Sequence, residues 1–198
     1  MHNLSRLSTI GIDLCQDVWS YISQNYLTQK INKSEVGSST MPHKVNPIDF
    51  ENAEGNFGLT RALTQHLADK LPVSRLQRDL SDSTTLRNIG SVVGYHQVAL
   101  TSLRKGLSKV HANQHVIARD LGTQWQLLAE PIQTLLRKEG HLDSYELLKD
   151  ATRGSTWSKQ DYSNFVKSLE GLLPERDIKT LLALSPSTYT GVASIMSE

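Results

Sequence analysis

Several features that would assign a function class are scarce in this sequence. It has one cysteine in 198 residues, Cys15, so an internal disulfide framework is excluded. No apolar run approaches the roughly 20 residues of a membrane span, and the N-terminus shows no apolar signal-peptide core. Charge is nearly balanced, with 21 Lys and Arg against 20 Asp and Glu, so no global field favours nucleic acid or an anionic membrane. The composition predicts a soluble, cytoplasmic helical protein.

Apolar residues recur at helical spacing along most of the chain, and no stretch predicts a strand. A first helix is predicted over about residues 4–22, where Cys15 fits a small buried hydrophobe better than a reactive thiol. It begins almost at Met1 without a convincing cap, which suggests that the chain starts inside a larger protein. A second helix is predicted from residue 49 or 50 to about residue 71, because Pro72 stops it.

The third predicted helix, over residues 86–110, has the clearest periodicity. Its apolar positions alternate steps of three and four, as in a heptad seam. The seam consists of Leu86, Ile89, Val93, His96, Leu100, Leu103, Leu107 and Val110. A helix of this length, near 40 Å at 1.5 Å per residue, must pack in a long bundle, in part against other subunits. A lone histidine in such a seam is more typical of a packed group than of a catalyst.

Shorter helices are predicted after Asn113, near 114–138, 144–152, 159–170 and 175–184. Gly140 and Gly154 suit helix C-termini, and Ser158 followed by Asp161 suits an N-terminal cap. We therefore predict an all-α fold: part of a long helical bundle over residues 1–112, then a small C-terminal helical domain over residues 113–198.

Residues 31–48 lack periodicity and contain two prolines and a glycine, so they predict a mobile loop. Within it the run GSSTMPHKVNP, residues 37–47, supplies hydroxyls, an imidazole, a cation and an amide. Backbone N–H groups near its start could form an anion-binding nest. A solvated surface loop is the alternative that composition alone leaves open.

This run resembles the G-S-S-x-M-P-x-K-x-N-P signature of the fumarase/aspartase superfamily over all eleven positions. The resemblance implies an all-α homotetramer whose active sites are shared among three subunits and which eliminates fumarate or an analogue. It implies that Ser38 is the general base and that Lys44 and Asn46 stabilise the charge developing on the substrate carboxylate. The resemblance also places Ser39 and Met41 among the substrate-binding residues. Ser39 would shape the loop and donate through its backbone, and Met41 would pack as the loop closes.

A second group of residues lies at 77–87. Arg87 follows Ser83 by four residues, so the two share one side of a helical turn, and arginine can bind phosphate through its planar fork. An ordinary helix cap with flanking surface charges is the alternative. The stretch resembles the adenylosuccinate lyase pattern Q-R-x-x-x-D-S-x-x-x-R, which implies that Arg78, Ser83 and Arg87 bind the nucleotide, chiefly its phosphate.

The resemblance also implies that Glu51 pairs with the histidine that acts as general acid. None of the histidines outside the signature has the sequence context of that acid, so we expect it in a preceding half of the enzyme and expect this chain alone to be inactive. A first-turn glutamate favoured by the helix dipole is the structural alternative.

The implied reaction releases fumarate from adenylosuccinate, giving AMP, and from SAICAR, giving AICAR. A base, an acid and an oxyanion site suffice for it, so no metal or organic cofactor is expected. The expected partners are these nucleotides, fumarate and further copies of the chain in a tetramer, with no nucleic acid or membrane. Another fumarate-releasing lyase, such as argininosuccinate lyase, and a non-catalytic helical scaffold are the alternatives.

Overall fold

The computed structural model describes residues 1–30, 46–76, 78–154 and 156–196, without the side chains of residues 150 and 194. It divides into two compact units, Met1–Asn113 and Gln114–Glu198. Helices dominate both units, so the predicted all-α class is confirmed. The assignment of residues 1–112 and 113–198 to a bundle portion and a separate C-terminal domain stays a prediction. Among the described helices, none is long and apolar enough to cross a membrane.

The first unit consists mainly of three long helices. They are α1 (His2–Ser23), α2 (Ile48–Lys70) and α4 (Ile89–Leu107), with the short α3 (Ser81–Leu86) before α4. Helix α2 packs against both α1 and α4. The core between them consists of Cys15, Val18, Phe50, Ala53, Phe57 and Ala99. Cys15 is fully buried there, and burial, with a contribution from the charge of Glu54, raises the pKa of its thiol to about 11. Cys15 is therefore the small buried hydrophobe that the sequence predicted, rather than a reactive thiol.

Two glycines allow the three helices to approach one another closely. A Cβ at Gly11 in α1 would lie 2.5 Å from Cε2 of Phe57, and one at Gly106 in α4 would lie 2.8 Å from Cζ of Phe50. Both phenylalanines belong to α2, two turns apart, and each places its ring against one neighbouring helix. Glycine at these positions therefore sets how closely α1 and α4 pack against α2.

A small sheet contradicts the expectation that the chain has no strand. Strands β1 (Leu27–Gln29) and β2 (Val110–Ala112) pair antiparallel, with Thr28 opposite His111. The backbone N–H of Lys30 extends the pairing by donating to the carbonyl of Lys109 at 2.9 Å. The prediction missed these strands because three residues are too few for an alternating pattern to show. The sheet joins the end of α1 to the end of α4.

The predicted helix over residues 86–110 is also wrong in its bounds. Helix α3 ends at Leu86, a turn follows, α4 begins at Ile89, and β2 takes the last predicted position. Only part of the predicted seam faces the unit's own core. The positions of α4 that are buried are Val92, Ala99 and Gly106, whereas Val93, Leu100 and Leu107 are exposed. The helix therefore has two apolar faces, and its own unit covers one of them.

His96 lies between these two faces and packs as an ordinary core group. Its ring meets Phe57 edge to face, with centroids 5.6 Å apart. The hydroxyl of Ser8 donates to the carbonyl of Leu4, and Nδ1 of His96 lies 3.4 Å from the same Ser8 oxygen. Desolvation by burial lowers the pKa of His96, which favours the neutral imidazole.

The second unit is built from shorter helices. They are α5 (Gln114–Gly122), α6 (Ala129–Lys138), α7 (Ser144–Thr152), α8 (Lys159–Ser168), α9 (Glu175–Ala183) and α10 (Ala193–Met196). A 3₁₀ turn, Trp125–Leu128, separates α5 from α6, so the single helix predicted over 114–138 was wrong. The core contains Leu128, Ile132, Leu136, Trp157, Tyr162, Val166 and Leu181.

Helix termini in this unit follow the local sequence signals. Gly140 and Gly154 have φ of +92° and +76°, the left-handed conformation in which glycine ends a helix. The Ser158 side chain accepts from the Asp161 backbone while the Asp161 carboxylate accepts from the Ser158 backbone, which is a complete capping box. Both predictions of helix ends are confirmed.

Candidate active site

The residues predicted to form the site fall into two sets. Ser38, Ser39, Met41 and Lys44 lie outside the described residues, as does most of the loop predicted to be mobile. The structure describes Asn46, Glu51, Arg78, Ser83 and Arg87. Their predicted roles stay predictions, and the geometry below concerns what surrounds them.

Glu51 lies in the first turn of α2, directly after the signature run. Pro47 precedes the helix, and its carbonyl accepts from the backbone N–H of Glu51 at 3.1 Å. The carboxylate is exposed, and its Oε1 accepts a hydrogen bond from the indole Nε1 of Trp19 at 3.2 Å. One turn away, Gln16, which precedes Trp19 in α1, donates to Glu54, which follows Glu51 in α2, at 2.9 Å. These four side chains and Ser20 line an open cleft of about 430 Å³ between α1 and α2.

An ion-pair cluster lies at the start of α2, two residues after the signature. Asp49, which is 8% exposed, accepts from Nζ of Lys109 at 2.6 Å and pairs with Lys105 at 3.0 Å. Desolvation by burial would raise the pKa of Asp49, but the hydrogen bonds and charges of the two lysines together lower it. Lys109 also accepts from the backbone N–H of Lys30 through its carbonyl. The residues on both sides of the segment 31–45 therefore meet at Lys109.

The predicted phosphate-binding residues lie around the short helix α3. Asp79 accepts from the backbone N–H of Ser81 at 2.8 Å, and this bond is the main reason that the pKa of Asp79 falls to about 2. The backbone N–H of Ser83 is likewise taken up by Asp82 at 2.6 Å. Carboxylates of the chain itself therefore occupy these two N–H groups at the start of α3. A phosphate here would have to bind chiefly through side chains.

Arg78 and Arg87 are the cations placed to do so. Both side chains are exposed, and among the described residues neither forms an ion pair. Arg87 follows the last residue of α3, four positions after Ser83. Between described residues, no hydrogen bond or ion pair joins this group to Glu51. The structure thus presents the carboxylate and the arginines as two separate groups within the first unit.

Two features near these residues were missed from the sequence. The spacing of Lys105 and Lys109, four residues apart, indicates a basic helix face. It gives no indication that Asp49 pairs with both lysines. Trp19 carries no signal that it contacts Glu51, because the two are 32 residues apart and meet only through the packing of α1 on α2.

Comparison with known families first defines a class. A model of a family described as lyase matches residues 1–63, the part that contains the signature, Trp19 and Glu51. A second model, described as adenylosuccinate lyase C-terminal, matches residues 74–190, more than half of the chain. The chain belongs to this adenylosuccinate lyase family.

Individual relatives agree along nearly the whole chain. Adenylosuccinate lyase of Dictyostelium discoideum is 52% identical over 188 residues, which cover 94% of this chain and 40% of the relative. The proteins of the same name from Legionella pneumophila strain Corby and Escherichia coli strain K12 are each 50% identical. Those matches cover 96% and 98% of this chain and 41% and 42% of the relatives. The chain thus spans about two fifths of the length of the relatives it matches.

Proposed function

We propose that this chain is part of an adenylosuccinate lyase, which releases fumarate from adenylosuccinate to give AMP and from SAICAR to give AICAR. The observation that carries the proposal is the intact eleven-residue signature in a member of this family, with Glu51 one turn into the helix that follows it. Relatives that carry the name of this enzyme match 94–98% of this chain, which supports the proposal.

The proposed reaction is a β-elimination. Ser38 removes a proton from the carbon beside a substrate carboxylate, and Lys44 and Asn46 stabilise the negative charge that collects there. The carbon–nitrogen bond then breaks with its electron pair on nitrogen, and a general acid protonates that nitrogen. Glu51 orients the imidazole of that acid, which belongs to a part of the enzyme outside this chain. Its exposed carboxylate on α2 supports this assignment, because a second chain segment can reach it.

The nucleotide is held in this proposal by Arg78, Ser83 and Arg87, with Ser39 and Met41 contacting the substrate from the signature loop. The exposed guanidinium groups beside α3 support a phosphate contact. We expect Arg87→Ala to weaken AMP binding about 10-fold or more, as loss of a charged hydrogen bond implies, and to change fumarate binding little. Titration calorimetry with both ligands checks this, and equal losses would remove Arg87 from the phosphate.

The intact enzyme is proposed to be a cytoplasmic homotetramer. Helices α1 and α4 both present apolar side chains to solvent at heptad spacing: Leu7, Ile10, Leu14, Val93, Leu100 and Leu107. Exposed apolar stripes on long helices are typical of surfaces that pack against further helices. Other copies of the chain would cover them in the tetramer.

The decisive experiment measures fumarate release by the full-length protein and its Ser38→Ala variant. We expect the wild type to act on adenylosuccinate and not on argininosuccinate, and the variant to lose turnover by about 10²–10⁴-fold while binding substrate. Normal turnover in the variant would remove Ser38 as the base. Activity on argininosuccinate would support the other lyase, and a full-length protein without any activity would support the scaffold.

A further inference from the structure

We propose that Trp19 is a positioning residue for catalysis, acting through Glu51. The inference rests on the proposed function, because it assumes that Glu51 orients the general acid. Its geometric basis is the 3.2 Å hydrogen bond from Nε1 of Trp19 to Oε1 of Glu51. Trp19 itself touches neither the substrate nor the reacting atoms in this scheme.

The hydrogen bond leaves one half of the carboxylate available. Among the described residues, Oε2 of Glu51 accepts no hydrogen bond, whereas Oε1 is taken by the indole. An indole N–H can only donate, so it fixes which oxygen faces α1. The other oxygen is then presented to a donor such as an imidazole N–H that arrives from outside the chain.

The backbone that carries the two residues is itself fixed. The close contact of Gly11 with the Phe57 ring sets the spacing of α1 and α2. Trp19 and Glu51 therefore lie at a defined separation. An exposed glutamate otherwise samples many rotamers, and holding one of its oxygens reduces that freedom before the histidine binds.

The indole contributes little to the core of the unit. Trp19 is 45% exposed and is absent from the buried cluster around Phe50 and Phe57. Its ring is thus not required to fill the interior. The hydrogen bond to Glu51 is the directed interaction that the described structure gives it.

The test is a double-mutant cycle in the full-length protein, with fumarate release as the readout. Trp19→Phe removes the N–H and keeps an aromatic ring. We expect kcat to fall about 10-fold, the value of one hydrogen bond of about 1.4 kcal/mol, with KM changed by less than about 2-fold, since only the acid is misplaced. In a Glu51→Ala background, which removes the acceptor and is itself slower by about 10²-fold or more, Trp19→Phe should cost almost nothing further.

Gln16→Leu is the matched control, because it removes the parallel hydrogen bond one turn away and leaves Glu51 untouched. It should retain kcat within about 2-fold, since an exposed hydrogen bond contributes little. Replacement of Trp19 by 3-benzothienylalanine, which has the shape of tryptophan without the N–H, should repeat the Trp19→Phe result. This second variant separates loss of the donor from loss of ring volume.

The outcomes separate this inference from the proposed function. If Ser38→Ala and Glu51→Ala lose turnover but Trp19→Phe and the benzothienyl variant do not, the positioning role alone is overturned. An equal loss from Trp19→Phe in both Glu51 backgrounds would also overturn it, since Trp19 would then act independently of the carboxylate. If Glu51→Ala keeps full turnover, the proposed role of Glu51 is wrong and this inference is wrong with it. If Ser38→Ala keeps turnover, the proposed chemistry fails first.

Discussion

The two units bury their apolar side chains in different ways. The second unit surrounds bulky residues such as Trp157, Tyr162 and Leu181 with short helices, and these residues are 5%, 1% and 0% exposed. The first unit has three long helices, and its core between them includes Cys15 and two alanines beside its two phenylalanines. It leaves large apolar residues exposed along α1 and α4, including Ile10 at 65% and Val93 at 58%.

This difference indicates what each unit needs in order to be stable. A core of large, interlocked side chains can hold a unit together by itself. Long helices with a second apolar face lower their free energy only when another surface covers that face. The long helices α1 and α4 of the first unit therefore carry a face suited to assembly, although the second unit also exposes apolar side chains such as Leu142 and Ile195.

The largest expected effect is on assembly. Leu100→Asp in α4 should dissociate the tetramer proposed for the full-length protein, since each copy loses about 1.5–3 kcal/mol of leucine burial and must desolvate a carboxylate. Leu182→Asp in α9 is the matched control, because the two leucines are 39% and 38% exposed. Sedimentation velocity checks both variants. Equal dissociation would mean that the second unit shares the assembly surface.

The next effect concerns the core of the second unit. Tyr162→Ala should destabilise this unit by about 3–5 kcal/mol, as expected for deletion of a fully buried aromatic ring. Tyr162→Phe should cost about 1–3 kcal/mol, because the hydroxyl donates to the carbonyl of Leu181 at 2.7 Å. Burial raises the pKa of Tyr162 to about 12, so this donor stays protonated at neutral pH. Urea unfolding followed by near-UV circular dichroism measures both losses, and Tyr145→Phe, at an exposed tyrosine, serves as the control.

A smaller, pH-dependent effect belongs to the first unit. Asp49→Asn should cost about 1.5–3 kcal/mol at neutral pH, the range for hydrogen bonds to charged groups. The folded pKa of Asp49 lies below its ordinary value of 3.8, so its contribution is present above pH 3.8 and is lost as the pH falls through the lowered value. The stability difference between wild type and variant should therefore be constant from pH 5 to 8 and shrink below about pH 4.

Urea titrations across that range check the result for Asp49. Asp17→Asn, at an exposed residue of α1, should show no comparable difference. A difference for Asp49→Asn that grows as the pH falls would contradict the paired carboxylate.

The smallest effect concerns how α8 begins, since α6, α7 and α9 of the same unit have no side-chain cap. Ser158→Ala removes the capping box of α8 and should cost about 1 kcal/mol. Ser163→Ala within the same helix should cost nothing or stabilise slightly, since alanine is the better helix former. Helices α1 and α2 of the first unit have no side-chain cap, so packing rather than capping stabilises them. An unchanged melting temperature in Ser158→Ala would show that α8 also depends on packing alone.

The sequence predicted the helical class and the helix ends that depend on local chemistry. Gly140, Gly154 and the Ser158–Asp161 pair could be read because each acts within one turn of its own helix. The sequence did not predict the helix break at Arg87 or the paired strands around Thr28 and His111. No proline marks that break, and strand pairing joins segments some 80 residues apart.

The candidate site was predictable only where a motif carries it. The signature before Glu51 is contiguous, so its eleven positions could be matched directly. The contacts of Trp19 and Asp49 arise from how three helices pack, and each helix alone gives no indication of the partner. Local patterns therefore predicted which residues matter, while the residues that hold them in place required the tertiary structure.

The junction at Lys109 has a consequence for chain entropy. Its carbonyl accepts from the backbone N–H of Lys30, seven residues before the signature, and its ammonium group donates to Asp49, two residues after the signature. Holding Lys30 and Asp49 at one residue costs chain entropy, as closing a loop does, and the sheet and the ion pair offset that cost without substrate. Doubling the length of such a loop costs only about 0.6 kcal/mol. Insertions there would consequently leave the melting temperature almost unchanged while removing turnover.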